Sequence, residues 1–133
     1  MTTHTIDLPW TAPPLTLNPS GVGTTRGAAF ARARLIRDVR AHGALLARKA
    51  KLPRNVAHVA VQLHYRPRDR RHRDAINLTP TQKALVDGLR DYGLIPDDDG
   101  RYVTDHMPAI HPADTGLGGA MWLELTITEE SPK

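Results

Sequence analysis

The chain has 133 residues, no cysteine, a formal net charge of +4 and a pI near 9.9. That length suits one domain with one core, and the missing cysteines exclude disulfides and cysteine-ligated zinc, which points to a reducing cytoplasm. No apolar run approaches the roughly 18 residues of a membrane span, and the start "MTTHTIDLPW" lacks the basic and apolar regions of a secretory signal.

The basic excess favours a polyanionic partner, nucleic acid ahead of an anionic membrane. Along the chain, "TIDLPW" and "PLTLN" read as short strand pieces broken by Pro9, Pro13 and Pro14. "PSGVGTTRG" reads as a loop, so residues 1–24 are expected to be loosely ordered. From about Thr25 to Ala50 the pattern turns helical. Ala28, Ala31, Leu35, Val39 and Leu46 form one apolar stripe, while Arg26, Arg34, Arg37, Arg40 and Arg48 gather on another sector. Arginines with so little acid among them repel unless an anion sits against them; the plain alternative is a solvated face. Gly43 is a candidate break or kink.

"HVAVQLHYR" (58–66) alternates with period two and reads as a strand burying Val59, Val61, Leu63 and Tyr65. Thr79, Pro80 and Gln82 spell a helix start, with Thr79 as cap, Pro80 at the first helical position and Gln82 completing a capping box. The helix carries Leu85, Leu89 and Tyr92 to the core, sets Lys83 and Asp87 on another face, and stops near Gly93. "GLIPDDDGRYV" is a turn into a strand, and "MPAIH" and "MWLELTIT" are extended. The expected fold is α+β: one domain over 1–133, with a small mixed β-sheet and two helices packed on one face.

The chemistry concentrates around the second helix. Asp74 precedes it, and Asp97, Asp98 and Asp99 follow it. Carboxylates converging from two segments are what Mg²⁺ uses, since it takes one or two of them and keeps several waters. Lys83 is placed to stabilise charge on a phosphate. The alternative is that "PDDDG" is only a hydrophilic turn. In "RPRDRRHRD", Arg66, Arg68, Arg70, Arg71 and Arg73 suit a phosphate backbone, which arginine grips bidentately; an exposed solubilising loop is the alternative. His72 is at most a phosphate contact. His106 and His111, five apart, are a weak zinc signal.

The stretch "RRHRDAINLTPTQKALVDGLRDYGLIPDDDGRYV" resembles the RusA family of Holliday-junction resolvases, especially forms from phages and prophages of actinobacteria. The family pattern is an arginine run, Asp-x-Asp-Asn, a helix with Lys and a "lDgL" turn, then Gly and an apolar stretch ending in Asp-Asp. The match covers residues 54–105 closely, with "PLTLN" and "MWLELTI" fitting more loosely. The resemblance implies a homodimeric endonuclease, dependent on Mg²⁺ (or Mn²⁺), that cuts four-way or branched DNA in recombination and repair. It implies catalytic roles for Asp74, Lys83 and Asp98, and metal binding by Asp74, Asp97 and Asp98. DNA contacts are expected from Arg68, Arg70, Arg71, Arg73, Asn77, Arg37 and Arg40. Lys83 lies three residues further on than in the shortest family pattern. Ile76 stands where the family has its second aspartate, and isoleucine binds neither metal nor proton. Asp87 or Asp99 is then expected to supply the missing oxygen; otherwise the protein cuts slowly, or binds junctions without cutting them.

Overall fold

A computed structural model describes residues 1–17, 25–114 and 116–129. The elements are β1 (Thr2–Asp7), α1 (Arg26–Lys49), β2 (His58–Arg66), a 3-10 turn (Ala75–Leu78), α2 (Thr79–Tyr92), β3 (Val103–Asp105), β4 (Ala109–Ile110) and β5 (Ala120–Thr128). They build an α+β domain around an open mixed sheet in the order β1-β5-β2-β3, with β4 also pairing with β2. β5 runs antiparallel to both β1 and β2, whereas β3 and β4 run parallel to β2. A parallel return needs a crossover, and α2 is that crossover.

Period-two alternation divides the sheet. Val59, Val61, Leu63 and Tyr65 stand opposite Ile127, Leu125, Leu123 and Met121, and all eight are buried. Full burial of each Leu, Ile or Val side chain is worth about 1.5–3 kcal/mol. The helices cover this face with Val39 and Ala47 from α1 and Ala84, Leu85, Val86 and Leu89 from α2. The other face, which carries His64, Gln62, Trp122 and Glu124, is only half-buried.

The two helices meet at glycines. A Cβ on Gly88 would lie 2.2 Å from the Arg40 carbonyl oxygen, and one on Gly43 would lie 2.8 Å from that of Leu85. Gly43 therefore does not break α1, which is continuous from Arg26 to Lys49; it lets the backbones touch. The buried positions of α1 are Val39, Gly43 and Ala47. The expected stripe fails at its N-terminal end, where Leu35 is 38% and Phe30 63% exposed. Helix length explains this. At about 1.5 Å per residue, the 24 residues of α1 overhang the 14 of α2.

Three local expectations are corrected. "PLTLN" forms no strand among its described residues. Leu15 is instead buried, with its N–H donated to Thr81 Oγ1 (3.2 Å) and its carbonyl accepting from the same hydroxyl (2.8 Å). Pro13 and Pro14 have no amide to offer a ladder, and one buried threonine takes the place of a neighbouring strand. The rest of the expected loop, residues 18–24, lies outside the described residues. The capping box is also absent. The 3-10 turn runs straight into α2, whose first turn includes Thr79, and Thr79 Oγ1 donates to the Ile76 carbonyl at 2.8 Å. Gln82 is drawn elsewhere: its Oε1 accepts from Leu63 N–H at 2.9 Å. Finally, "MPAIH" pairs over only Ala109–Ile110. The stop at Gly93 is as read, with a left-handed φ of 100°.

Candidate functional site

Lys83 lies one turn into α2, and Asp87 follows it one turn later on the same face. The Lys83 ammonium donates to Asp87 Oδ1 at 2.9 Å and to Asp98, which the chain brings back alongside the helix after Gly93. Arg90 adds a second cation, 3.6 Å from Asp98 and 3.8 Å from Asp97. Asp98 N–H donates to Asp97 Oδ1 at 2.8 Å. The hydrogen bond from Lys83 is the largest influence holding the Asp98 carboxyl down, at about 2. In return Asp98, then Asp87, raise the Lys83 ammonium above its usual range. At neutral pH this is a fixed cation among fixed carboxylates.

The three consecutive aspartates thus divide their repulsion among different cations. Asp99 takes no part in the Lys83 cluster. It accepts from Arg101 at 2.8 Å, which keeps its carboxyl below the ordinary value.

The arginine loop is folded around one carboxylate. Asp69 accepts from Arg71 Nη2 (3.0 Å), the Arg71 backbone N–H (3.1 Å) and Arg73 Nη2 (2.8 Å), with Arg68 at 3.6 Å. The Arg71 guanidinium, then that of Arg73, hold the Asp69 carboxyl far below the carboxylate range. Arg73 also donates to the carbonyls of Asp69 and Arg71 and lies over the Tyr65 ring, 5.9 Å from its centre. Arg70 has no ion-pair partner among the described residues. Three arginines around one carboxylate, with Arg70 unpaired beside them, leave the loop cationic. Arg40 is occupied differently: it pairs with Asp91 at 2.7 Å and ties α1 to α2. Arg37 is exposed on α1.

Asp74 ends this loop. Its carboxylate is 64% exposed, and its side-chain partner is His72 at 3.1 Å. Its carbonyl accepts from Asn77 N–H at 3.1 Å. Ile76, in the 3-10 turn, is 52% exposed, so no core contact demands an apolar residue there.

These residues gather into two groups rather than one. Among the described residues, no hydrogen bond or ion pair links Asp74 to the Lys83–Asp98 cluster, and no group of three or more His, Asp or Glu converges as a metal would require. The 3-10 turn contributes about 2 Å of rise per residue, which separates Asp74 from the start of α2. Asp97 and Asp98 adjoin, but Asp98 is committed to Lys83 and Arg90. The side chains do not fit a closed three-carboxylate Mg²⁺ centre.

Several groups escaped sequence reasoning. Asp105 accepts from Gln82 Nε2 at 3.2 Å, and with Lys83, Thr79 and His106 it lines a cavity of about 230 Å³. A second cavity of similar size lies beside Asp74. His111 pairs with His64 rather than His106: His64 Nδ1 and His111 Nε2 are 2.8 Å apart, and both rings contact Trp122. The alternation of β2 puts His64 on the outward face, and that was the available signal.

No protein-family model and no curated protein matches this chain. Among the described residues, no helix is long and apolar enough to cross a membrane.

Proposed function

We propose that this chain is a RusA-like, structure-specific endodeoxyribonuclease that acts on four-way and branched DNA as a homodimer. One observation carries the reading. A lysine ammonium is held between carboxylates from two segments, Asp87 and Asp98, on the helix that the arginine loop and Asp74 lead into. Lys83 keeps its proton at neutral pH, so it serves as a cation for a phosphate oxygen and not as a base. Asp98 stays ionised under the same conditions. Arg70 and the loop around Asp69 hold backbone phosphates, and Arg37 extends the basic surface, so affinity should fall steeply with salt. A two-fold dimer would present two such sites to symmetry-related strands of one junction. Magnesium enters this reading through the family resemblance alone.

The test is nicking of a synthetic four-way junction with and without Mg²⁺, by the wild type and by Asp74→Asn and Asp98→Asn. Cleavage lost in both variants supports the proposal; cleavage retained in both removes these residues from the chemistry. A second reading is favoured by Ile76: the protein binds junctions without cutting them. Tight, salt-sensitive junction binding with no product under Mg²⁺ or Mn²⁺ would select it.

A further inference from the structure

The cavity beside Asp74 has an apolar floor and a polar rim. Tyr65, Leu78 and Pro13 supply the floor, while Asn77, Thr16 and Arg73 stand with Asp74 around it, enclosing about 230 Å³. Tyr65 is only 4% exposed, and its hydroxyl has no hydrogen-bond partner among the described residues. Asn77 is half-buried, and its side-chain amide is likewise uncommitted among the described residues.

The charges select the occupant. Arg73 and His72 are the basic groups of the cavity, but the guanidinium is bound to Asp69 and to two backbone carbonyls, and His72 Nε2 lies 3.1 Å from Asp74 Oδ1. Asp74 adds negative charge at the mouth. An anion would therefore meet a carboxylate and a guanidinium already in use, so this is not a phosphate pocket. A purely apolar ligand would cover the tyrosine hydroxyl and the amide and leave them unsatisfied, which is costly. A flat, neutral ring with hydrogen-bonding edges answers both conditions. Such a ring stacks on aromatic and apolar walls and is read by amide groups at its edge. The volume accepts one ring system and not a base pair.

We propose that this cavity receives a single unstacked DNA base from the strand that passes Asp74, with Asn77 reading its edge. The inference rests on the branched-DNA reading, because bases at a branch point are the cheapest to extrude. It gives that reading a source of structure selectivity: a continuous duplex offers no free base to the pocket.

Two measurements test it, and neither depends on cleavage. First, deoxynucleoside monophosphates are titrated into ¹⁵N-labelled protein, with inorganic phosphate as control. The expected result is a shift of the Asn77 side-chain amide with nucleotides and none with phosphate. The variant Thr16→Trp, which plugs the cavity, should weaken nucleotide binding about tenfold. Second, 2-aminopurine is placed in turn at each branch-point position of a four-way junction. One position should brighten on binding wild-type protein, and the gain should vanish with Thr16→Trp. If that variant misfolds, Asn77→Ala takes its place, with loss of discrimination between bases as the expected effect. An unmoved Asn77 amide together with a silent 2-aminopurine series overturns the pocket, even if junctions are cut. A nucleotide-responsive Asn77 in a protein that ignores junctions keeps the pocket and overturns the branched-DNA reading.

Discussion

Replacing Gly88 by alanine probes the contact that sets α2, and with it Lys83 and Asp87, against the rest of the domain. The new methyl would lie 2.2 Å from the Arg40 carbonyl oxygen, 2.9 Å from Ala44 N and 3.0 Å from Gly43 Cα. All three are backbone atoms of α1, so no side chain can swing aside, and relief requires the helices to part by about 1 Å. Overpacking of this kind costs about 1–3 kcal/mol, with more expected when backbone must move. Alanine recovers about 1 kcal/mol of helix propensity. With backbone forced to move, the cost sits at the upper end of that range, so the expected net loss is about 2 kcal/mol, read as a lower urea midpoint at unchanged slope. Gly27→Ala is the control, because a Cβ there meets nothing within 4 Å. It should leave stability unchanged or raise it by up to about 1 kcal/mol. A Gly88→Ala protein as stable as wild type would refute the close backbone approach.

Three further outcomes follow from the described contacts. In Lys83→Met, Asp98 loses the hydrogen bond that holds it at about 2, so its carboxyl should titrate closer to the ordinary 3.8 in a ¹³C NMR titration; an unmoved value would contradict the Lys83 pairing. The sign is that of a depressed acid: its contribution to stability is complete above the unfolded value and is lost as pH falls toward about 2. Gln82→Leu leaves the buried Leu63 N–H without its acceptor and should cost about 1–3 kcal/mol in chemical denaturation; a neutral substitution would place that amide elsewhere. His111 is depressed first by burial, then by His64 and Arg66. Below its unfolded value of 6.5 the unfolded chain takes up a proton that the folded chain resists, so stability should decline with acid from there. His111→Asn should flatten that decline below 6.5, and an unchanged slope would argue against the burial of His111.

The sheet was legible because alternation is local: Val59 to Tyr65 and Met121 to Ile127 announce one buried face each. Gly93 was legible because only a left-handed turn needs glycine there. The α1 stripe misled at Leu35, since periodicity shows which side of a helix is apolar but not where its neighbour ends. Gln82 misled because its capping spacing is real, yet the unpaired Leu63 amide sits closer to its need. For the candidate site, the Lys83–Asp87 face was legible from their spacing of four. Asp98 joins them only because the chain folds back after Gly93. The arginine run showed its charge but not its order, which Asp69 imposes. That carboxylate, which sequence reasoning did not single out, is the hub that several of them bind.

The decisive measurement is single-turnover cleavage of a labelled four-way junction in Mg²⁺, with wild type and Ile76→Asp side by side. Position 76 is exposed, so the substitution adds a carboxylate two residues from Asp74 without emptying the core. If Asp74 and the Lys83–Asp98 cluster serve phosphodiester cleavage, wild type nicks the junction and Ile76→Asp nicks it at least as fast. Two proteins that bind the junction and leave every strand intact would contradict it.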